Sequence, residues 1–158
     1  MSRRISCCAL FLTFALAAPA FGLSADETLP AWTSDVNAAW QKTLDTHRPM
    51  LVVVGSEGCS HCRRMQAETW SDSNVLGELS AGFVTARVDG NRQPSLLSHW
   101  NVRAYPTTLI FADDGRVLAK LTGYRSAGEI RGHLRAALEA TQTIQPVQAQ
   151  TEQIRSGE

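Results

Sequence analysis

A short motif, Cys59-Ser60-His61-Cys62, follows an apolar run from Met50 to Val54 that ends at Gly55. The run predicts a buried strand, and the two cysteines then fall where that strand gives way to a helix. The first N–H groups of a helix lack backbone partners and carry partial positive charge, so they stabilise a thiolate at that point. The pattern predicts a strand–helix junction that holds a reactive Cys59.

Two cysteines with this spacing also occur in zinc sites and as structural disulfides. A structural zinc site usually has four Cys or His ligands, but the only other cysteines, Cys7 and Cys8, lie in a segment predicted to be removed. His47, His99 and His133 stand without ligand spacing. A disulfide across so short a loop restricts the unfolded chain by only about 2 kcal/mol, against roughly 4.7 for a loop of about 100 residues. Redox exchange is therefore favoured, with metal binding and an inert bridge as alternatives.

Residues 1–25 have the pattern of a secretory signal peptide. Arg3 and Arg4 precede an apolar stretch from Ile5 to Ala18, and small residues follow at 18–20 and 23–25. The stretch is shorter than the roughly 20 residues of a transmembrane helix, so cleavage is favoured over an uncleaved anchor. Removal would leave 13 basic and 15 acidic residues, a net charge of −2, which does not point to nucleic acid as a partner.

The exported chain would keep Cys59 and Cys62 as its only cysteines, so its stability must come from an ordinary apolar core. Roughly 130 residues suffice for one domain. We predict a linker at residues 26–33, one domain at 34–139 and a disordered tail at 140–158, where the sequence is Gln-rich and polar.

Periodicity predicts the order helix, strand, helix, strand, helix, strand, strand, helix. The first helix begins near Ser34 and stops before Pro49, and its buried face is predicted to hold Val36, Ala39, Trp40 and Leu44. After the dithiol, one kinked helix or two are predicted as far as Gly82, with Ser71 or Asp72 as a fresh N-cap.

The second half of the domain alternates strands and turns. Residues 83–89 predict a half-buried strand, and a short helix follows at 94–100. Strands at 107–112 and 117–122 flank a turn at 113–116 and should run antiparallel. The last helix starts at Ser126, which forms a capping box with Glu129.

This order, the dithiol, and the segment Val102-Arg103-Ala104-Tyr105-Pro106-Thr107 together resemble the thioredoxin family over about residues 34–139. The resemblance implies an α/β thioredoxin fold, with a central mixed sheet, a C-terminal antiparallel hairpin and flanking helices. The stretch Glu68-Thr69-Trp70-Ser71-Asp72 also resembles the C-terminal domain of DsbD-type membrane reductases and its periplasmic relatives. His61 and the Tyr-Pro-Thr element are similar to protein disulfide isomerase domains instead.

The resemblance implies a thiol:disulfide oxidoreductase. Cys59 would attack a partner's disulfide, and the more buried Cys62 would then resolve the mixed disulfide. His61 and Ser60 would tune the Cys59 thiol. Pro106 would follow a cis peptide bond after Tyr105, leaving backbone groups of Tyr105 free to pair with an extended substrate. No cofactor is implied beyond the redox-active cysteine pair.

The chain departs from the thioredoxin pattern at Val53, where a buried acid is expected six residues before the first cysteine. The usual proton acceptor for Cys62 is then missing. Glu57 could assist through water or could simply be solvated. Trp70 and Trp100 are expected to pack in the core, with flanking of a substrate surface as the alternative.

The compact size of the predicted domain favours a reductase or electron carrier, because it lacks room for the insertion of DsbA-type oxidants or the dimerisation domain of isomerases. A monomeric periplasmic reductase that acts on protein disulfides would need a membrane electron donor of the DsbD type as partner. The alternatives are an oxidase or isomerase, or a non-enzymatic module that binds metal or thiols through Cys59, Cys62 and His61.

Overall fold

The computed structural model describes residues 29–142, so the predicted signal peptide and most of the predicted tail lie outside it. The elements confirm the predicted order, with one helix more between the first two strands. The helices are α1 (Val36–Thr46), α2 (Ser60–Glu68), α3 (Ser73–Gly82), α4 (Pro94–His99) and α5 (Ala127–Gln142). The strands are β1 (Met50–Gly55), β2 (Val84–Asp89), β3 (Thr107–Phe111) and β4 (Val117–Thr122).

The four strands form one mixed sheet in the order β2-β1-β3-β4. The β1 and β2 strands are parallel, whereas β3 is antiparallel to both β1 and β4. The predicted C-terminal hairpin is therefore confirmed. Because β1 and β3 run in opposite directions, the last residues of β1 lie beside the first residues of β3, with Val54 opposite Thr107. Whatever follows β1 therefore lies near whatever precedes β3.

Both faces of the sheet are covered, which confirms the predicted flanking helices. Successive side chains of a strand point to opposite faces, so β1 contributes to two apolar clusters. On one face Val52 and Val54 pack with Ala39 of α1 and Leu97 of α4. The opposite face holds side chains from β1, α2, α3 and α5: Leu51, Met65, Leu79 and Leu134. The apolar core is thus divided by the sheet into two layers.

The predicted buried face of α1 is wrong at Leu44, which is 39% exposed. Thr43 is fully buried instead, because it lies four residues after the buried Ala39 and so on the same side of the helix. The helix ends where predicted. His47 adopts a left-handed backbone conformation with φ of 53°, and Pro49 follows shortly after.

The segment after the dithiol forms two helices rather than one kinked helix. Asp72 is the N-cap of α3, and its side chain accepts hydrogen bonds from the N–H groups of Asn74 and Val75. Ser71, the other candidate cap, donates to the Gln66 carbonyl at the end of α2.

The predicted half-buried character of β2 is wrong, because most of its residues are buried. Thr33 lies beside β2 as an isolated parallel bridge to Ala86. Its N–H donates to the Thr85 carbonyl at 3.2 Å, and its carbonyl accepts from the Arg87 N–H at 2.8 Å. The Thr85 hydroxyl donates to the Ala31 carbonyl. This added segment covers the outer edge of the sheet and buries Thr85.

The last helix begins with the predicted capping box, since the N–H and hydroxyl of Ser126 both donate to the Glu129 carboxylate. The helix continues to Gln142, past residue 140, where the tail was predicted to begin. Ala137 is buried and Leu138 packs against Gly82, so contacts with α3 hold the last turns in place. No helix among residues 29–142 has the length and apolar character needed to cross a bilayer.

We expect Leu134→Ala to lower the free energy of unfolding by about 3 kcal/mol, because Leu134 is fully buried between α5 and the sheet. The same truncation at the exposed Leu44 should cost less than about 1 kcal/mol. Urea unfolding of the two oxidised variants measures the difference. Equal losses of stability in the two variants would contradict the orientation of α1, in which Leu44 faces away from the core.

Candidate active site

Cys59 and Cys62 form a disulfide at the start of α2, with their Cα atoms 5.2 Å apart. Cys59 is the N-cap of the helix, and its Sγ accepts a hydrogen bond from the Cys62 N–H at 3.1 Å. This is the strand–helix junction that the sequence predicted. The same N–H would face a thiolate on Cys59 after reduction, together with the positive end of the helix.

The two cysteines lie in different surroundings although both are partly buried. Cys62 packs over the end of β1, where a Cβ added to Gly55 would lie 3.4 Å from the Cys62 Sγ. Cys62 also lines a cavity of about 360 Å³ beneath α2. Cys59 does not line this cavity and lies at the very start of the helix, as its N-cap. The arrangement suits an outer attacking thiol and an inner resolving thiol.

The peptide bond between Tyr105 and Pro106 is cis, as the resemblance implied. Pro106 is buried and lines the same cavity as Cys62. Its carbonyl accepts from the Gly123 N–H at 2.7 Å, which ties this loop to the end of β4. Among residues 29–142 no backbone hydrogen bond of Tyr105 is found. Its N–H and carbonyl are thus free to pair with another chain.

The Tyr105 ring packs directly over Gly90, the residue after β2. A Cβ added to Gly90 would collide with the phenol oxygen and ring of Tyr105. The Gly90 N–H donates to the Gly55 carbonyl at 2.8 Å, so the glycine is fixed at the end of the sheet. A side chain is excluded at residue 90 because the Tyr105 ring occupies that space.

Ser60 and His61 lie on the first turn of α2 and are exposed. Neither side chain has a hydrogen-bond partner in the part of the chain that the structure describes. Their tuning of the Cys59 thiol stays a prediction. Glu57 is likewise exposed, at the rim of the cavity.

Val53 lies in the cavity wall at the place where the thioredoxin pattern has an acid. Beside it in the parallel register stands Arg87 of β2, which lines the same cavity. No local sequence signal marks Arg87 as a site residue. An arginine between Ala86 and Val88 matches the alternation of a surface strand, and only the register of β1 against β2 reveals its position next to Val53.

The two tryptophans pack within the domain. Trp70 is 3% exposed and meets the ring of Trp32 edge-on, with ring centres 5.8 Å apart. Trp100 lies against Phe111 at 5.4 Å. Core packing is therefore confirmed for both, and Trp70 also forms part of the cavity wall beside Cys62.

A polar network attaches α2 to the segment before α5. The Tyr124 hydroxyl donates to the Glu68 carboxylate at 2.6 Å, and the Arg64 guanidinium donates to the same group. These two hydrogen bonds, first that of Tyr124 and then that of Arg64, lower the pKa of Glu68. The Thr69 hydroxyl, which is buried, donates to the Arg125 carbonyl. The helix that carries the cysteines is thus fixed at its far end.

Among residues 29–142 no group of three or more His, Cys, Asp and Glu side chains is close enough together to hold a metal ion. The nearest candidates to the dithiol, His61 and Glu57, are exposed side chains on separate turns. Near the dithiol, the described residues therefore provide only the two cysteine sulfurs as candidate metal ligands, and these are joined in a disulfide.

The family of thioredoxin-like domains matches residues 36–138. Over 129 residues the chain is 30% identical to the thiol:disulfide interchange protein DsbD of Tatumella citrea, covering 77% of this chain and 22% of that protein. Over 93 residues it is 34% identical to protein disulfide-isomerase A2 of Pongo abelii, covering 58% of this chain and 18% of that protein. The chain spans about a fifth of the length of these curated relatives.

The solved structure of a thioredoxin from Thermus thermophilus is similar to this one with a TM-score of 0.62 and 26% sequence identity. The similarity covers 68% of this chain and 86% of that one. The α/β thioredoxin fold implied by the sequence is therefore confirmed.

We expect Gly90→Ala to destabilise the protein by about 1 to 3 kcal/mol, because the added methyl group must displace the Tyr105 ring. Gly77→Ala is the matched control. Gly77 lies within α3 with open space around it, so the same change should be neutral or stabilising by up to about 1 kcal/mol.

Urea unfolding of the oxidised proteins measures both effects. In a Tyr105→Ala background the cost of Gly90→Ala should largely disappear, because the displaced ring is gone. A cost that persists in that background would show that Tyr105 does not occupy the space over Gly90.

Proposed function

Because this chain belongs to the family of thioredoxin-like domains, we propose that it exchanges disulfides with partner proteins through Cys59 and Cys62. The position of Cys59 supports this most directly. It is the N-cap of α2, its Sγ accepts the Cys62 N–H, and its disulfide partner lines a cavity shared with Pro106. A thiolate formed there would be stabilised by the helix and would be able to return to a disulfide with its neighbour.

The reduced protein would react in two steps. The Cys59 thiolate attacks one sulfur of a partner's disulfide, which forms a Cys59–partner disulfide and releases the partner's second thiolate. Cys62 then attacks the Cys59 sulfur as a thiolate, which forms the Cys59–Cys62 disulfide and releases the partner's first thiolate. Two electrons pass to the partner, whose thiolates take up protons from solvent. His61 and Ser60 would tune the first step from the exposed turn of α2.

The loop before β3 would hold the substrate. The Tyr105 backbone has no hydrogen bond among the described residues, and it is joined to Pro106 in the wall beside Cys62. An extended substrate segment that pairs with this backbone would present its disulfide to Cys59 at the start of α2. Backbone hydrogen bonds of this kind do not depend on the side chains of the substrate, so they suit a protein with many partners.

For the direction of electron flow, we propose that the protein is a periplasmic reductase or electron carrier. It would receive electrons from a membrane donor of the DsbD type. Three observations support it. The chain is similar to DsbD, residues 1–25 have the pattern of a signal peptide, and the described domain adds little to the sheet and its flanking helices. We propose that the protein works as a monomer.

The similarity to protein disulfide-isomerase A2 supports a second candidate, oxidation or isomerisation of protein thiols. The same two cysteines would carry it, with the steps reversed. A third candidate, a module that binds metal or thiols without turnover, would use Cys59 and Cys62 as plain ligands.

Cysteine variants separate an oxidoreductase from a binding module. Cys59→Ser should abolish reduction of insulin disulfides, because no attacking thiolate is left, whereas Cys62→Ser should accumulate mixed disulfides that cannot be resolved. Ala67→Ser, on the exposed side of α2, should leave the rate unchanged. The readouts are insulin precipitation and non-reducing gels of partners trapped in the native compartment. Partner affinity retained in Cys59→Ala, or about one zinc or copper per chain through gel filtration, would favour the binding module.

The reduction potential tests the direction of electron flow. The helix start and its N–H group favour the Cys59 thiolate and hence the reduced form, so we expect a potential roughly 50 mV above that of thioredoxin, near −220 mV. Equilibration with glutathione buffers, followed by alkylation and mass analysis, measures it. A potential above about −150 mV would favour the oxidase candidate over the reductase.

A further inference from the structure

Arg87 lies on the side of the sheet that carries the dithiol. In parallel strands, residues paired in register point to the same face, and Arg87 is paired with Val53 of β1. Two residues further along, Gly55 is paired with Asp89, and the Cys62 side chain packs over Gly55. Arg87 and Cys62 line one cavity of about 360 Å³. Arg87 therefore lies in the wall of the space into which the inner cysteine also opens.

The Arg87 cation has no anionic partner among residues 29–142. Its guanidinium carbon lies 4.2 Å from the centre of the Trp32 ring, and its Nε is buried without a hydrogen bond. Burial lowers the pKa of Arg87, which means that removing the charge from water is unfavourable here. A partly buried cation without a counter-charge gains from a nearby anion. The neighbour in register, Val53, cannot provide one.

Three other charged residues line the cavity. The Asp89 carboxylate is paired with Arg92 at 3.2 Å and also accepts the Asn91 N–H, so its charge is already engaged. Glu57 and Arg63 are exposed, and water screens their charges. The Arg87 charge is therefore the one set into the cavity wall without a counter-charge.

We propose that Arg87 stabilises the thiolate of Cys62 in the reduced protein and in the mixed disulfide, and so promotes the resolving step in the absence of an acid at residue 53. This inference rests on the proposed function and deepens it. A carboxylate would assist by accepting the Cys62 proton. Arg87 instead lowers the energy of the anion, and the proton passes to solvent at the open side of the cavity.

The step balances without any further reactant. The Cys62 thiolate donates an electron pair to the Cys59 sulfur, the Cys59–Cys62 bond forms, and the bond from Cys59 to the partner breaks. The partner leaves as a thiolate and takes a proton from water. Once the disulfide is formed, the anion that Arg87 stabilised is gone. Arg87 acts through Cys62 and is a positioning residue rather than a catalytic one.

The test uses the reduced full chain with Cys7, Cys8 and Cys59 each changed to Ser, so that Cys62 is its only thiol. We expect Arg87→Gln to raise the midpoint pH of thiolate formation by about one unit, and to slow alkylation by iodoacetamide at neutral pH up to about tenfold. Arg87→Lys keeps a positive charge and should restore most of the effect. Arg116→Gln removes a charge from the hairpin turn at the opposite end of β3 and should leave the midpoint unchanged.

A folded Arg87→Gln protein with an unchanged Cys62 midpoint would overturn the proposal. If that variant does not fold, Arg87→Met retains the aliphatic stem against Trp32 and provides the same test. In the chain with both cysteines, Arg87→Gln should also lengthen the life of the mixed disulfide severalfold in quenched reactions.

The titration needs no partner protein, so it is independent of the proposed activity. An Arg87-dependent midpoint in a protein that cannot reduce insulin would refute the proposed function and keep this inference. The reverse result would refute the inference alone.

Discussion

The antiparallel pairing of β1 with β3 is the constraint on which the rest of the molecule depends. It sets the end of β1 beside the start of β3, with Val54 opposite Thr107. The chain leaving β1 becomes the loop and helix that hold the two cysteines, and the chain entering β3 brings Tyr105 and Pro106. Two segments separated by more than forty residues thereby form one site. Neither segment needs a ligand to hold it there, because both strands are buried in the centre of the sheet.

A second constraint is the junction at which the buried strand β1 ends and α2 begins, because it sets the positions of both cysteines. The β1 strand buries side chains on both faces, and its last residue, Gly55, leaves room for the Cys62 sulfur. Cys59 is the N-cap and so lies where the first N–H groups of α2 begin. The network of Arg64, Glu68 and Tyr124 holds the other end of this helix. The thiol chemistry is therefore supported by packing beneath the helix and by hydrogen bonds at both of its ends.

Much of the fold and of the candidate site could be predicted from local sequence. The dithiol after an apolar run, the hairpin turn and the capping box at Ser126 are signals carried by neighbouring residues, and each is found where expected. The cis bond before Pro106 could be expected only from the resemblance, because an isolated X-Pro pair is rarely cis.

The errors arose where distant segments meet. The apolar periodicity of α1 predicts Leu44 in the core, yet the helix buries Thr43 in its place. The burial of Thr85 could not be predicted without knowing that Thr33 pairs beside β2. Arg87 cannot be recognised as a site residue from sequence, because its place beside Val53 follows from strand register, which no short stretch of sequence encodes.

The bridge between Thr33 and Ala86 has a consequence for behaviour at high concentration. An uncovered outer strand exposes a row of unpaired N–H and carbonyl groups, which can recruit strands from other molecules and lead to aggregation. Thr33 occupies two of these groups on β2, and Ala31 engages the Thr85 hydroxyl next to them. At high concentration the β2 edge of the sheet is thus protected from pairing with strands of other molecules, whereas the Tyr105 backbone stays available for transient pairing.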